Sequence, residues 1–440
     1  MINGNNYVLL NISLVDGRGG YPQPDSYIEV RDGYIHRTGS MKNYRKSEGI
    51  SEVSLDGCFV MPGLIDAHVH LPGGKSDMLE QEQGVIQEPI RLLAMRSVSD
   101  AQKILKRGFT SVREISWNGL YLKRLFNERE APGPRIIACG PGLSRTGGHS
   151  DLYQFPLDYV IQNHFWGILA DGPDEVRKAV RRVLREGADQ VKIWASGGDN
   201  YPNDRNCDVH YSMEELRMCV NEAHMQKGTL VCAHAENNES IRMCIESGVD
   251  TIEHGEDLDE ETAEMMARKG VILVPTLHLI VNWFRDFMPT DDAPVEKIRK
   301  DVFLHRDFHC RPDADFGRQY SERAKQSFRL AREKGVKIAL GSDSVYEPLT
   351  AYGEYSALEF KALIDCGMTV PEAVSAGTLG SAEALGMSGW LGTLDPGKCA
   401  DLLVVKTDPT VSGDVLYDPS NIIYVICGGR LTVDEGKLAW

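Results

Sequence analysis

Hydrophobic and polar positions fall into two textures along this chain. Residues 1 to about 60 hold short strand-like runs, Tyr7-Val8-Leu9-Leu10, Ser26-Tyr27-Ile28-Glu29-Val30 and Tyr34-Ile35-His36, separated by the turn signals Asp16-Gly17 and Asp32-Gly33. The last fifty or so residues repeat that texture. Asp401-Leu402-Leu403-Val404-Val405 and Ile422-Ile423-Tyr424-Val425-Ile426 read as apolar strands, and Gly428-Gly429-Arg430 turns the latter into Leu431-Thr432-Val433. Two β-rich ends around one long middle predict that the termini pair into a small sheet domain, a β-sandwich made from 1–60 and 389–440.

Between them, residues 61–388 alternate strand-like and helix-like segments. The strand-like ones are Leu64 to His70, Thr110 to Ile115, Arg135 to Cys139, Gln190 to Ala195, Thr229 to His234, Asp250 to His254, Val271 to Leu277 and Lys337 to Asp343. Helical stretches ending at glycine precede several of them, as in Ala101 to Lys106 before Gly108 and Ser212 to Met225 before Gly228. Others are Ile241 to Ser247 before Gly248 and Ser327 to Lys334 before Gly335. Glycine just past a helix caps its C-terminus. Eight strands separated by helices predict an α/β fold of the (β/α)8 TIM-barrel kind. A doubly wound open sheet is the alternative, but no glycine-rich phosphate fingerprint follows any strand.

A barrel of this kind collects its chemistry at the C-terminal ends of its strands. His68 and His70 end the first strand, Lys192 lies in the fourth, His234 ends the fifth, His254 the sixth and Asp343 the eighth. Residues at i and i+2 share one face of a strand, so His68 and His70 can reach one metal ion. Alone, a His-x-His pair is as readily two structural histidines; convergence with four more competent groups favours a metal site. Imidazole and carboxylate ligands suit zinc, manganese or iron. Lysine is the odd member, because an ammonium cannot bind a cation. Lys192 must be neutral, distant from the metal, or carboxylated by carbon dioxide to an anion able to bridge two metals.

Charge and cysteine content narrow the setting. Lys+Arg 48 against Asp+Glu 64 gives a net charge of -16, which disfavours nucleic acid and anionic membranes as partners. The ten cysteines show no CxxC spacing, and several sit in apolar runs, so they read as buried free thiols of a reducing compartment. Neither a signal peptide nor a membrane span is recognisable. A cytoplasmic enzyme acting on a small molecule, as a homo-oligomer, is the expectation.

The run Met61 to His70, the order of the strand ends, Leu340-Gly341-Ser342-Asp343, and the tail Gly392-Thr393-Leu394-Asp395-Pro396-Gly397-Lys398-Cys399-Ala400-Asp401-Leu402 resemble the amidohydrolase superfamily over nearly the whole chain. Val191-Lys192-Ile193 with Ser196-Gly197-Gly198, Thr146-Gly147-Gly148-His149, and Tyr211-Ser212-Met213-Glu214-Glu215-Leu216 are similar to its imidazolonepropionase-related branch. That branch includes metal-dependent prolidases (Xaa-Pro dipeptidases) and ochratoxin-type amidases. The resemblance implies a binuclear centre, with zinc as the first choice of metal. His68, His70 and Asp343 hold the more buried ion, His234 and His254 the more exposed one, and carboxylated Lys192 bridges them together with a hydroxide. It implies cleavage of a C–N amide bond without a covalent enzyme intermediate, Asp343 acting as general base and then acid. The substrate it suggests is a dipeptide of Xaa-Pro type or an N-acyl amino acid.

Three further residues are candidates for substrate contact. His149, in a Gly-Gly loop, can stabilise an oxyanion as a donor; Tyr211 and Arg113 can each bind a substrate carboxylate. Their plain alternatives are an exposed loop histidine, a residue packed at a helix start, and an ion pair. The family usually follows its arginine with Asp and glycines, whereas Arg113-Glu114-Ile115-Ser116-Trp117 departs from that pattern. A long insertion over 278–325 carries Trp283, Phe284, Phe287 and Met288, either an apolar lid or the buried face of a helix. Asp257 to Glu261 reads as an acidic helix start. Hydrolysis of a cyclic amide, lactone or aryl amide fits the same site. A metal-dependent deaminase is a rival, but Asn237 stands where its glutamate shuttle belongs, and Glu236 is expected to point to a different face from His234. A non-catalytic metal-binding scaffold is the most distant reading.

Overall fold

The computed structural model describes residues 2, 4–76, 88–153, 155–163, 166–198, 204–226, 228–287, 314–348 and 350–439. Five strands open the chain: β1 (Tyr7–Leu14), β2 (Gln23–Arg31), β3 (Tyr34–Ser40), β4 (Ser51–Ser54) and β5 (Phe59–Pro62). The middle carries β6 (Leu64–Val69), β7 (Lys75–Ser76), β8 (Phe109–Glu114), β9 (Arg135–Ala138), β10 (Gly142–Ser144) and β11 (Gly167–Leu169). It continues with β12 (Val191–Trp194), β13 (Val231–Ala235), β14 (Thr251–His254), β15 (Ile272–Val274) and β16 (Glu347–Pro348). The chain closes with β17 (Leu402–Val405), β18 (Ile422–Cys427), β19 (Arg430–Asp434) and β20 (Lys437–Leu438).

The two ends meet as expected. β17 runs antiparallel to β5, Leu402 opposite Pro62 and Val405 opposite Phe59. The result is one nine-stranded sheet in the order β20-β19-β18-β17-β5-β1-β2-β3, with β4 paired to β1. The expected sandwich is thus a single continuous ladder, because β5 and β17 join the N- and C-terminal halves edge to edge. Its buried side gathers Tyr7, Leu9, Ile28, Val30, Val60, Leu402, Val404 and Ile426.

The middle of the chain is an α/β arrangement of parallel strands in two main ladders, β6-β8-β9 and β11-β10-β12-β13-β14-β15, with β16 and β7 as a separate short parallel pair. Asp189 N donates to Ala138 O across the first gap, at 2.7 Å. Segment 337–344 spans the second. Leu273 N donates to Lys337 O (2.9 Å) and Ala339 N to Leu273 O (2.9 Å) on one side; on the other, Ala67 N donates to Leu340 O (2.8 Å) and Asp343 N to His68 O (2.8 Å). The eighth expected strand therefore appears only as isolated bridges at Ile338 and Ser344. A continuous ladder is interrupted where Asp343 takes φ 54°. Gly341 lets this segment approach, since a Cβ there would stand 2.4 Å from Val274 Cγ1 and 2.8 Å from His68 Cβ. β15 likewise stops at Val274, before Pro275 and the left-handed Thr276 (φ 44°).

Helices cover these strands, and their ends follow the sequence signals. Asn237 caps Asn238–Ser247 by accepting from Ser240 N, and Asp259 caps Glu260–Lys269 by accepting from Thr262 N; Gly248 and Gly270 close them in the left-handed region. Phe109 and Phe360 meet in the core with ring centroids 6.2 Å apart, and burying each such side chain is worth about 1.5–3 kcal/mol. Trp283, Phe284 and Phe287 belong to the helix Leu277–Phe287; the lid reading concerns their side chains and Met288, which lie outside the described residues. Among the described residues, no helix is long and apolar enough to cross a membrane.

Asp401 ties the terminal sheet to the middle of the chain. Its backbone O accepts from Gly63 N (2.8 Å), one carboxylate oxygen from Gly428 N (2.6 Å), and the other pairs with Arg135 (3.2 Å). Arg135 in turn lies over the Trp390 ring at 4.6 Å. Removing one partner of a buried pair strands the other. Asp401→Ala is expected to lower the unfolding free energy by about 3 kcal/mol, read as a shifted urea midpoint; an unshifted midpoint would refute this coupling.

Candidate metal centre

The ends of β6, β13 and β14 and the 337–344 segment bring five of the expected groups together. The nearest ligand atoms of His68, His70 and Asp343 lie within 4.8 Å of one another. The His254 ring lies 5.3 Å from that of His68 and 4.6 Å from that of His234. Strand alternation would send Glu253 and His254 to opposite faces. The left-handed backbone at His254 (φ 71°) ends the strand and re-aims its ring into the cluster, as φ 54° does for Asp343. Such conformations are uncommon for residues with a side chain and collect at functional sites.

Hydrogen bonds determine which ring nitrogens face inward. His70 Nδ1 is 2.6 Å from Ile115 O, and a carbonyl only accepts, so Nδ1 carries a proton and Nε2 is the nitrogen that faces inward. His68 Nδ1 is 2.6 Å from Glu253 Oε2, which again turns Nε2 inward. Those two Nε2 atoms lie 3.0 Å (His70) and 3.5 Å (His68) from Asp343 Oδ1. Three atoms able to donate electron pairs thus converge on one point, where a proton or a shared cation can hold them together. His234 Nε2 is 3.2 Å from Gly197 O, turning Nδ1 into its bare nitrogen, and His254 Nδ1 meets the Thr276 hydroxyl at 2.7 Å.

Lys192 fits the same picture. It is 1% exposed, its Nζ has no hydrogen-bond partner, and the Trp194 ring lies 5.6 Å away. Burial holds its amine below the ordinary lysine value. Burial also depresses His68 and His234 far below 6.5 and His254 to about 3. Burial acts the other way on Asp343, but the rings of His68 and His70 outweigh it and hold the carboxylate well below its usual range. Neutral rings at His68, His234 and His254 and an ionised Asp343 are protonation states that divalent cations need.

Three expectations change on contact with the structure. Arg113 is fully buried and spent: Nε donates to Ala67 O (2.6 Å), Nη1 to Thr251 Oγ1 (3.1 Å) and Gln190 Oε1 (3.3 Å), and Nη2 to Glu253 Oε1 (2.6 Å). No substrate carboxylate can reach it. Tyr211 is 2% exposed and its hydroxyl donates to Ala170 O (3.3 Å), so it packs in the core instead of binding substrate. Glu236, expected on another face, stands 3.5 Å from His234 Nε2, as the two-residue period requires. His149 does join the cluster. Its ring stacks on His234 with centroids 4.3 Å apart, and Nδ1 lies 2.7 Å from Asp204 Oδ2.

Sequence reasoning passed over Glu253, Asp204, His210 and Trp166. His210 is buried beside Asp204 (3.9 Å), and burial lowers it to about 4. Trp166 lies edge-on to His70 at 5.3 Å and touches Trp117 and Tyr346, walling that side of the centre. Glu253 had one signal: it alternates with Thr251 on the inward side of β14. Glu114, where the family usually has Asp, accepts from Leu71 N (2.8 Å) and Ser116 N (3.1 Å), and burial raises it to about 7.

With this geometry in hand, comparison with known proteins is informative. The model of the amidohydrolase family matches residues 59–432. The chain is similar to the ochratoxinase of Aspergillus niger, at 28% identity covering 96% of this chain and 85% of that protein. It is similar to the crystal structure of an amidohydrolase (32% identity, TM-score 0.83, covering 98% of this chain and 99% of that one). A prolidase complexed with N-methylphosphonate-L-proline also matches, with 29% identity, TM-score 0.82 and the same 98% and 99% coverage.

The histidine shifts carry a pH consequence for the metal-free protein. Each of His68, His234 and His254 ionises at lower pH folded than unfolded. As pH falls below about 6.5 the unfolded chain therefore takes up protons first, and stability is lost down towards about 3. The urea midpoint of the metal-free protein is expected to fall between pH 7 and pH 4, and His254→Asn to flatten that slope; an unchanged slope in the variant would refute the assignment.

Proposed function

The chain belongs to the amidohydrolase family, and from that premise we propose that it hydrolyses the C–N amide bond of a dipeptide (Xaa-Pro-like) or an N-acyl amino acid. A pair of divalent cations would be held by His68, His70, Lys192, His234, His254 and Asp343. The observation that carries the reading is the convergence of Asp343 Oδ1 with the inward Nε2 atoms of His68 and His70, three ligand atoms that one cation can share. Similarity to an ochratoxinase and a prolidase supports an amide as the bond cut. The succession of hydrogen bonds from β6 round to segment 337–344 supports reading 61–388 as a (β/α)8 barrel, with 1–60 and 389–440 as its companion domain, built on the single sheet of the two termini.

Bound divalent ions, zinc first and manganese or iron as alternatives, polarise a carbonyl and lower the pKa of water. The chain's own groups do the rest. Burial lowers the Lys192 amine, which favours the uncharged form that combines with carbon dioxide, and a carbamate there would supply an anionic ligand in place of an ammonium. Asp343, ionised and 15% exposed at its side chain, takes the proton of the attacking water and passes it to the leaving nitrogen. His149, held by Asp204, donates to the carbonyl oxygen as charge develops there.

One observation favours a second reading. Glu236 beside His234 offers a carboxylate near the place where a deaminase moves its proton. Ammonia release from an aminated heterocycle would mark that chemistry, and a free amino acid product would mark the first.

A screen of dipeptides and N-acyl amino acids with the zinc- or manganese-loaded protein is expected to release a free amino acid. Lys192→Ala and Asp343→Asn are expected to abolish turnover, and Lys192→Ala to lose bound metal as well. Full activity in either variant, or no hydrolysis of any such substrate by metal-loaded protein, would overturn the proposal.

A further inference from the structure

Arg113 and Glu253 are both 0% exposed and sit beneath the histidines without touching the surface. The guanidinium binds atoms from β6, β14 and the segment leading into β12, so a single side chain cross-links three neighbouring parts of the parallel strands. Its Nη2 pins Glu253 Oε1 at 2.6 Å, and the Thr251 hydroxyl donates to the same oxygen at 2.5 Å. The carboxylate is left one direction to point: Oε2 accepts from His68 Nδ1 at 2.6 Å.

The four histidines of the centre are unequal in this respect. His70 donates to a carbonyl, His234 donates to a carbonyl, and His254 meets a hydroxyl, all neutral partners. Glu236 is farther from His234, at 3.5 Å, than Gly197 O at 3.2 Å. His68 alone has a carboxylate short against its outer nitrogen. A carboxylate there locks the tautomer and makes the opposite nitrogen a stronger electron-pair donor to a metal.

We propose that Arg113 and Glu253 are positioning residues for metal uptake: by fixing His68 they make the His68–His70–Asp343 position bind a divalent cation more tightly than the His234–His254 position. The inference rests on the ligand set proposed above and not on the substrate. It also gives Arg113 the role that its burial leaves open.

Zinc alone is the probe. Stepwise zinc affinities come from competition with a chromophoric chelator, and bound zinc is counted by atomic emission. Wild-type protein is expected to bind two ions in separable steps. Glu253→Gln is expected to weaken the tighter step by about 10–100-fold and to leave the weaker one within about threefold. Thr251→Val, which removes one hydroxyl and keeps both charges, is expected to weaken the same step by less. The double variant Arg113→Met/Glu253→Gln removes both charges. It is expected to regain the unfolding midpoint that the single variant loses, since a balanced pair can be replaced without stranding a charge, while the tighter step stays weak.

Recovery of affinity together with stability in the double variant would reduce the pair to a structural device and overturn the inference. An unchanged tighter step in folded Glu253→Gln or Thr251→Val would overturn it too. If Glu253→Gln does not fold, Thr251→Val and the double variant decide. A wild-type protein that takes up no zinc would instead overturn the ligand set itself.

Discussion

A guanidinium with no access to water lies beneath the histidine cluster, and the geometry of that cluster depends on how it is satisfied. Burying an unpaired cation costs several kcal/mol, so Arg113 demands the acceptors it has: Glu253, Gln190, Thr251 and the backbone of Ala67. Meeting that demand orients Glu253, and Glu253 orients His68. A charge buried for the fold thus becomes the support of a functional ring. The departure from the family pattern just after Arg113 leaves this support intact, because Glu114 and Ser116 satisfy each other and Leu71 without drawing on the guanidinium.

Above this polar layer, burial and backbone conformation work together. Desolvation keeps His68, His234 and His254 neutral and Lys192 below its ordinary value, while the surrounding rings keep Asp343 ionised. Left-handed φ values at His254, Thr276 and Asp343 fall where strands end and ligands begin. Regular strands alternate their side chains, so a cluster that needs adjacent positions to converge must leave the regular conformation. The local strain is held in place by the surrounding hydrogen bonds, such as Thr276 to His254 and Asp343 N to His68 O.

The terminal sheet is a consequence of the same layout. β5 passes directly into β6 through Gly63, so the strand bearing His68 and His70 is anchored at its start by a sheet completed from the far end of the chain. Asp401, at the start of β17, bonds to Gly63 itself. The strand that carries His68 is therefore held twice: by the terminal sheet behind it, and by segment 337–344 beside it.

By itself the sequence determined the order of elements, the joining of the termini, and most of the residues that gather at the candidate metal site, because these rest on local periodicity, caps and motifs. His68, His70, His149, His234, His254 and Asp343 are found clustered, and Lys192 is buried among them with an unpartnered amine. Tertiary structure alone decided which way Arg113 and Tyr211 point, whereas the side taken by Glu236 follows from its two-residue spacing from His234. Arg113 and Tyr211 looked like carboxylate anchors because a strand end and a loop expose such groups as often as they bury them. Their direction depends on partners remote in sequence, Glu253 for one and Ala170 for the other. The same holds for Glu253, whose role exists only once β14 lies across from β6 and β8. Local patterns say which chemical groups are present, whereas the partner each group must satisfy when water is removed is a property of packing over the whole chain.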